Sequence, residues 1–161
     1  INFMKQILAL LLILFIFSLE QTNAQSINTE HYKLKIQKGS NYKKNGKTFF
    51  VIPVTITNLS KDTLKYFSLA CSPEYTYLVD NEKLYKMGNI CQKDFPIIII
   101  LAQNKSKTVQ LTLTKDETLN NSEISFKIGL NFKPANKPRQ EFNIKEFLNK
   151  NEVIWSNTIT I

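Results

Sequence analysis

A single histidine, His31, serves the whole chain, which excludes most histidine-based chemistry at the outset. A nucleophilic serine or cysteine needs a base beside it. His31 opens the first predicted strand, where a surface or edge role is the expectation. Two cysteines and one histidine cannot close a zinc tetrahedron without carboxylates. Four glycines in the entire chain leave no phosphate-cradling run. Paired acids that might serve glycoside hydrolysis, Asp80 with Glu82 and Asp116 with Glu117, fall in polar turns, where solvated carboxylates are expected. The chain is therefore read as non-enzymatic, with no cofactor and no metal site. Arginine is equally scarce: Arg139 is the only one, although the net charge is +8. Readers of nucleic acid rely on the bidentate guanidinium, so no nucleic-acid partner is expected. The positive charge is carried by lysines spread along the chain, which suits exposed strand faces and deters edge-to-edge aggregation. Only Lys43, Lys44 and Lys47 cluster. Attraction to anionic envelope polymers or lipid head groups is the sharper reading of that charge.

Long apolar runs are also absent, with one exception. Ile7 to Leu19 is apolar but for Ser18, follows Lys5, and leads into the polar segment Glu20 to Asn23. A spanning helix needs about 20 apolar residues, and this run is shorter. Small residues at Thr22 and Ala24 suit a signal-peptidase site. Residues 1–24 are thus predicted to be a cleavable signal peptide, with Met4 as the true start and Gln25 as the mature N-terminus; a retained anchor is the alternative. Residues 25–161 then make one domain, exported to the periplasm or beyond, with no transmembrane span in the mature chain.

Both cysteines, Cys71 and Cys91, lie in that mature part. An even count in an exported chain favours a disulfide, and closing a loop of about 20 residues should stabilise by roughly 3 kcal/mol. Two free buried thiols are the alternative. The enclosed stretch is rich in turn residues and tyrosines.

Helical periodicity is nearly missing, so crossover helices and parallel α/β folds are excluded. Alternation fills the chain instead. Tyr32, Leu34 and Ile36 share a face. Asn45-Gly46 marks a hairpin. From Thr48 to Asn58, Phe50, Ile52, Val54 and Ile56 share one face, while Pro53 requires an edge position or a bulge. Further strands are predicted at Leu64–Cys71, Tyr75–Val79, Lys83–Met87, Pro96–Ala102, Lys107–Thr114, Glu123–Lys133 and Val153–Ile161. Lys133 to Asn151 is irregular, and Phe142 to Leu148 could form a helical turn or two. Seven to nine short strands predict an all-β antiparallel two-sheet sandwich, with a closed barrel as the second choice.

Val51–Cys71 (VIPVTITNLSKDTLKYFSLAC) resembles the second-to-third strand corner of bacterial secreted immunoglobulin-like modules. Leu101–Leu113 (LAQNKSKTVQLTL), Phe126–Phe132 (FKIGLNF) and Trp155–Ile161 (WSNTITI) look like their later strands. The resemblance implies an immunoglobulin-like sandwich over residues 25–161, and folds do not fix function. It departs from antibody domains because Trp155 lies in the last strand, so their inter-sheet disulfide is not implied. A narrower similarity is to proteinase-inhibitor-like bacterial modules.

The expected function is an exported, non-catalytic binding or structural module of the bacterial cell envelope, meeting a protein or an anionic envelope polymer. The alternative is an inhibitor of an exported protease that presents the disulfide-braced Cys91-Gln92-Lys93 region. Tyrosines offer contact area with a polar tip at low entropic cost, so the predicted binding surface is Tyr75, Tyr77, Tyr85, Lys86 and Lys93, with Met87 beside them. Asn58, Asn104 and Asn120 match the N-glycosylation sequon.

Overall fold

The structure is a computed structural model that describes residues 31–88, 91, 93–115, 122–135 and 152–161. The predicted signal peptide and its cut, Gln92, the Asp116–Glu117 pair, Asn120, Arg139 and the helical turn at Phe142–Leu148 lie outside the described residues. Within them the chain is all-β, and every strand pair is antiparallel.

β1 (Tyr32–Ile36) and β2 (Ser40–Lys44) both pair with β3 (Lys47–Asn58), β1 along its second half and β2 along its first. β3 pairs on its other side with β8 (Ser106–Lys115), and β8 with β6 (Leu84–Met87). The order β1-β3-β8-β6 makes β3 a central strand, which removes the edge reading of Pro53. The bulge reading holds. Ile36 faces Val54 and Ser40 faces Val51, so three residues, Gln37 to Gly39, oppose two on β3. The Pro53 carbonyl accepts from Gln37 N. A residue's N–H and C=O share one edge, so the missing donor of Pro53 points into the bulge and costs no bond with β8. Gly39 is required there, because a Cβ would fall 1.7 Å from the Val51 carbonyl oxygen.

The remaining strands form a second group. β4 (Leu64–Leu69) pairs with β7 (Pro96–Leu101). On its other side β4 meets the segment after β10 (Ile128–Asn131): Phe67 N donates to Lys133 O and Ala135 N to Lys65 O, each at 3.0 Å. β10 pairs with β5 (Tyr77–Val79) and with β11 (Val153–Trp155), and β9 (Ser125–Phe126) with β12 (Ile159–Thr160). The predicted strands Glu123–Lys133 and Val153–Ile161 are one broken hairpin. Its register slips by one residue around Ser156–Thr158. The slip is put to use: the Asn157 side chain accepts from Ile36 N at 2.9 Å and donates to Ile36 O at 3.1 Å, tying the last strands to the first.

Residues of both groups share one core, including Ile52, Val54 and Ile56 of β3, Leu111 and Leu113 of β8, Tyr66, Tyr77, Phe126, Ile128 and Leu130. Burying each such side chain stabilises by about 1.5–3 kcal/mol. The even-numbered face of β3 points inward, as its alternation predicts.

Cys71 and Cys91 are disulfide-bonded. The bond lies just past the paired ends of β4 and β7, where Ala70 N donates to Phe95 O and Cys71 N to the Asp94 carboxylate. It therefore closes the base of an excursion holding a 3-10 turn (Pro73–Thr76), β5 and β6. Replacing both cysteines by serine is expected to lose roughly 3 kcal/mol. With a slope near 2 kcal/mol/M, the urea midpoint should fall by about 1–2 M. An unchanged midpoint would show that the excursion is held by its packing alone.

Candidate ligand-binding groove

Among the five residues predicted as a binding surface, the structure separates inside from outside. Tyr77 is only 2 % exposed and belongs to the core, so it is withdrawn from the surface. Burial pushes its phenol well above the ordinary range. The predicted strand Tyr75–Val79 starts at Tyr77, because Pro73 opens the 3-10 turn and resets the alternation. Tyr75 sits in that turn, half exposed. Lys86 is half-buried, and its ammonium donates to the backbone carbonyls of Glu74 and Tyr77, lacing β6 to the turn and to β5. Desolvation lowers its pKa, with the Glu74 charge opposing. Its role is internal. Tyr85 on β6 is 51 % exposed, and Lys93 is exposed beside the disulfide.

A groove of about 410 Å³ lies on the outward face of the first sheet. It is built by hairpin register. Asn45 (φ 51°) and Gly46 (φ 76°) form a two-residue turn in the left-handed region, the pattern of a type I′ hairpin. That turn sets Lys44 opposite Lys47 and Tyr42 opposite Phe49. Alternation puts all four on the outer face. The Tyr42 and Phe49 rings stack with centroids 5.1 Å apart and planes 17° apart. Continuing across the sheet, Phe49 faces Thr114 and Thr114 faces Tyr85, while Val51 faces Thr112 and Thr112 faces Met87. Gln110, opposite Pro53, completes the floor.

The far wall comes from the disulfide-closed excursion. Glu74 and Gly88 line it. A Cβ at Gly88 would lie 2.8 Å from the Tyr75 hydroxyl and 3.4 Å from a Glu74 carboxylate oxygen, so glycine there lets the 3-10 turn close against the end of β6. Beyond the groove the same outer face carries a hydroxyl ladder. Thr55 and Thr108 hydroxyls are 2.8 Å apart, as are those of Thr57 and Ser106.

Sequence reasoning placed the lysines at the hairpin tip but missed Tyr42, Phe49, Gln110 and Thr112. Counting outward from Asn45-Gly46 would have paired Tyr42 with Phe49. Glu74 had no such signal, since a long-range closure brings it to the groove. Chemically, the Tyr42–Phe49 pair can stack a ring, and Gln110 and Thr112 on the floor can bond to hydroxyls. Among the described residues no group of three or more acids, histidines and cysteines could hold a metal ion, and no helix is long and apolar enough to cross a membrane. Compared with family models, curated proteins and solved structures, the chain has no significant match.

Proposed function

We propose that this chain is an exported, non-catalytic binding module of the bacterial cell envelope, immunoglobulin-like in fold, which engages an anionic envelope polymer. The observation that carries the binding reading is the groove, where exposed Tyr42, stacked on half-buried Phe49, adjoins the cross-strand pair Lys44 and Lys47. The disulfide suits an oxidising compartment. The fold assignment is supported by strand order. β1-β3-β8-β6 in one group and β7-β4 with β10-β11 in the other parallel the two sheets of immunoglobulin-like sandwiches. It departs from them in that β6, lying beside β8, precedes β7, lying beside β4, along the chain.

The protease-inhibitor reading keeps one specific support: Lys93 and Phe95 are exposed on a segment anchored by the disulfide and by Asp94.

The test uses protein from the host's extracytoplasmic fraction. Its intact mass is expected to start at Gln25 and to gain two alkyl groups only after reduction. The same protein is expected to co-sediment with washed envelope material at low salt and to release at about 1 M, where charge screening acts within about 3 Å. A full-length chain confined to the cytoplasm would overturn the export reading. Failure to sediment, with stoichiometric inhibition of trypsin, would favour the inhibitor instead.

A further inference from the structure

We infer that the outer edge of β7 pairs with the β7 of a second copy of this chain, antiparallel about a two-fold axis at Ile99. The inference is independent of the groove and of the binding-module reading.

β7, with the sequence PIIIIL, carries no charged residue. Among the described residues it pairs only with β4. The direction of the β4 bonds shows which backbone groups are left over. Phe67 N donates to Lys133 O and Lys65 O accepts from Ala135 N, so the odd-numbered residues of β4 bond away from β7. Their partners across the ladder, Ile98 and Ile100, therefore turn N–H and C=O outward. Alternation gives the same direction to the Pro96 carbonyl and the Ala102 N–H. Ile100 is 62 % exposed, and Phe95, just before the strand, 59 %. An unpaired edge of this kind is a template for another strand. Other edges of the fold are guarded. β1 carries Lys33 and Lys35, and the Asn157 side chain occupies both backbone groups of Ile36. β2 carries Lys43 and Lys44 and is exposed throughout. On β7 the guard is Pro96, at one end.

The pattern of open groups is self-complementary, as a two-fold interface requires. With Ile99 facing Ile99 of the second copy, Ile98 faces Ile100, and the two exchange both backbone bonds. One step further out, Ala102 faces Pro96. Proline has no N–H to give, and the Ala102 carbonyl is already taken by Lys105 N at 3.1 Å. The missing donor thus meets the spent acceptor, while the Ala102 N–H meets the Pro96 carbonyl. Sliding the copies by two residues breaks the match. It sets the Ile100 carbonyl against Pro96, or the Ile98 N–H against the spent Ala102 carbonyl. Side chains agree with this register. On the outer face Ile98 and Ile100 of one copy lie beside Ile100 and Ile98 of the other, as apolar cross-strand pairs. Lys65 stands across β4 from Ile100, so the Lys65 residues of the two copies are three strand spacings apart, about 14 Å. That exceeds the Debye length of about 8 Å at physiological salt.

The test is sedimentation equilibrium of the disulfide-bonded chain across a dilution series. A reversible monomer–dimer equilibrium is expected, with no larger species, because the pairing uses up the edge of each copy. The net charge of +8 opposes association, so the dimer should strengthen with added salt, the reverse of release from an anionic polymer. Ile100→Pro removes an outward N–H without touching a bond to β4, and should weaken the dimer about tenfold or more. Ile100→Lys brings cations to the seam and should do the same. Met87→Lys puts the same charge on an exposed apolar position of the first sheet and should leave the dimer within about twofold. Unchanged urea midpoints establish that each variant is folded; should Ile100→Pro shift, Ile100→Lys, with its backbone unaltered, decides alone. A mixture of Ile98→Cys and Ile100→Cys should cross-link on oxidation faster than either variant by itself, since Cα atoms of hydrogen-bonded partners lie about 5.5 Å apart, within disulfide reach. A chain that stays monomeric at every concentration would overturn the inference and leave the edge to a strand of another protein. So would a dimer untouched by both Ile100 substitutions, an equal loss in Met87→Lys, growth beyond dimers, or equally fast cross-linking of the single variants.

Discussion

Replacing Asn58 by alanine is expected to destabilise the fold by about 3–5 kcal/mol, enough to remove much of a small domain's total stability. Asn58 ends β3 and is fully buried. Its amide donates to Asp62 O at 2.7 Å and to Leu101 O at 2.9 Å, while its carbonyl accepts from Ser60 N at 3.0 Å and from Ser60 Oγ at 2.7 Å. The backbone joins in: Asn58 N donates to Lys105 O, and Asn58 O accepts from Asn104 N. One side chain thus holds the turn into β4 and the end of β7. Alanine leaves several of these groups without partners, and each orphaned buried group costs about 1–3 kcal/mol. Asn58→Asp keeps the acceptor but turns a carboxylate toward two carbonyls, so a loss at least as large is expected. Ser60→Ala removes only the hydroxyl, which shares its proton between Asn58 Oδ1 and Asp62 O, and should cost about 1 kcal/mol. Urea unfolding of the three variants checks the ranking. Similar small losses for Asn58→Ala and Ser60→Ala would mean that water replaces the side chain. The same burial bears on the sequons: a glycan on Asn58 is incompatible with this fold, whereas Asn104 is exposed, with φ of 57° in a tight turn.

Asn58 also marks where sequence reading stops. Its turn, Asn-Leu-Ser-Lys-Asp-Thr, was legible as a turn, because asparagine and serine bond locally to backbone. That its amide also reaches Leu101 O, 43 residues away, was not. Strand faces were legible wherever alternation ran unbroken, as along β3 and β8. It misled at Tyr75 and Tyr77, two residues apart, which alternation assigns to one face. The 3-10 turn intervenes, and one goes out while the other goes in. Pro53 left two readings open, since a missing donor is equally harmless at an edge or at a bulge. Only the number of neighbouring strands decides between them. For Lys86 the alternation was informative and the residue type misleading: flanked by exposed Tyr85 and Met87, it had to point the other way. A lysine there is tolerable because two backbone carbonyls receive its ammonium. The groove was half legible. Hairpin arithmetic yields the aromatic and lysine pairs, but the wall formed by Glu74 depends on a disulfide-closed excursion folding back.

Raising the pH from 10 to 12 is expected to cost roughly 4 kcal/mol of stability, through two tyrosines. Burial pushes the Tyr66 phenol up to about 12, and Tyr77 is pushed up further by burial and by Tyr66 beside it. Both are buried in the shared core. A group that releases its proton, and whose folded pKa is raised, contributes its full stability below the unfolded value near 10. That contribution is lost as pH climbs toward the folded value, because the unfolded chain ionises first. Each tyrosine removes about 1.4 kcal/mol per pH unit in that window. Lys86 acts in the opposite direction. Its folded pKa is lowered, so the fold gains stability as pH rises toward the ordinary lysine value of 10.5, and nothing more above it. The steep loss should therefore emerge above about pH 10.5, with tyrosinate absorbance appearing together with loss of β-sheet circular dichroism. Tyr66→Phe should remove about half the slope and leave the neutral-pH midpoint little changed. If tyrosinate absorbance for all six tyrosines rises near pH 10 while the sheet signal persists, then Tyr66 and Tyr77 are open to solvent, and β4 and β5 do not pack closely against the core.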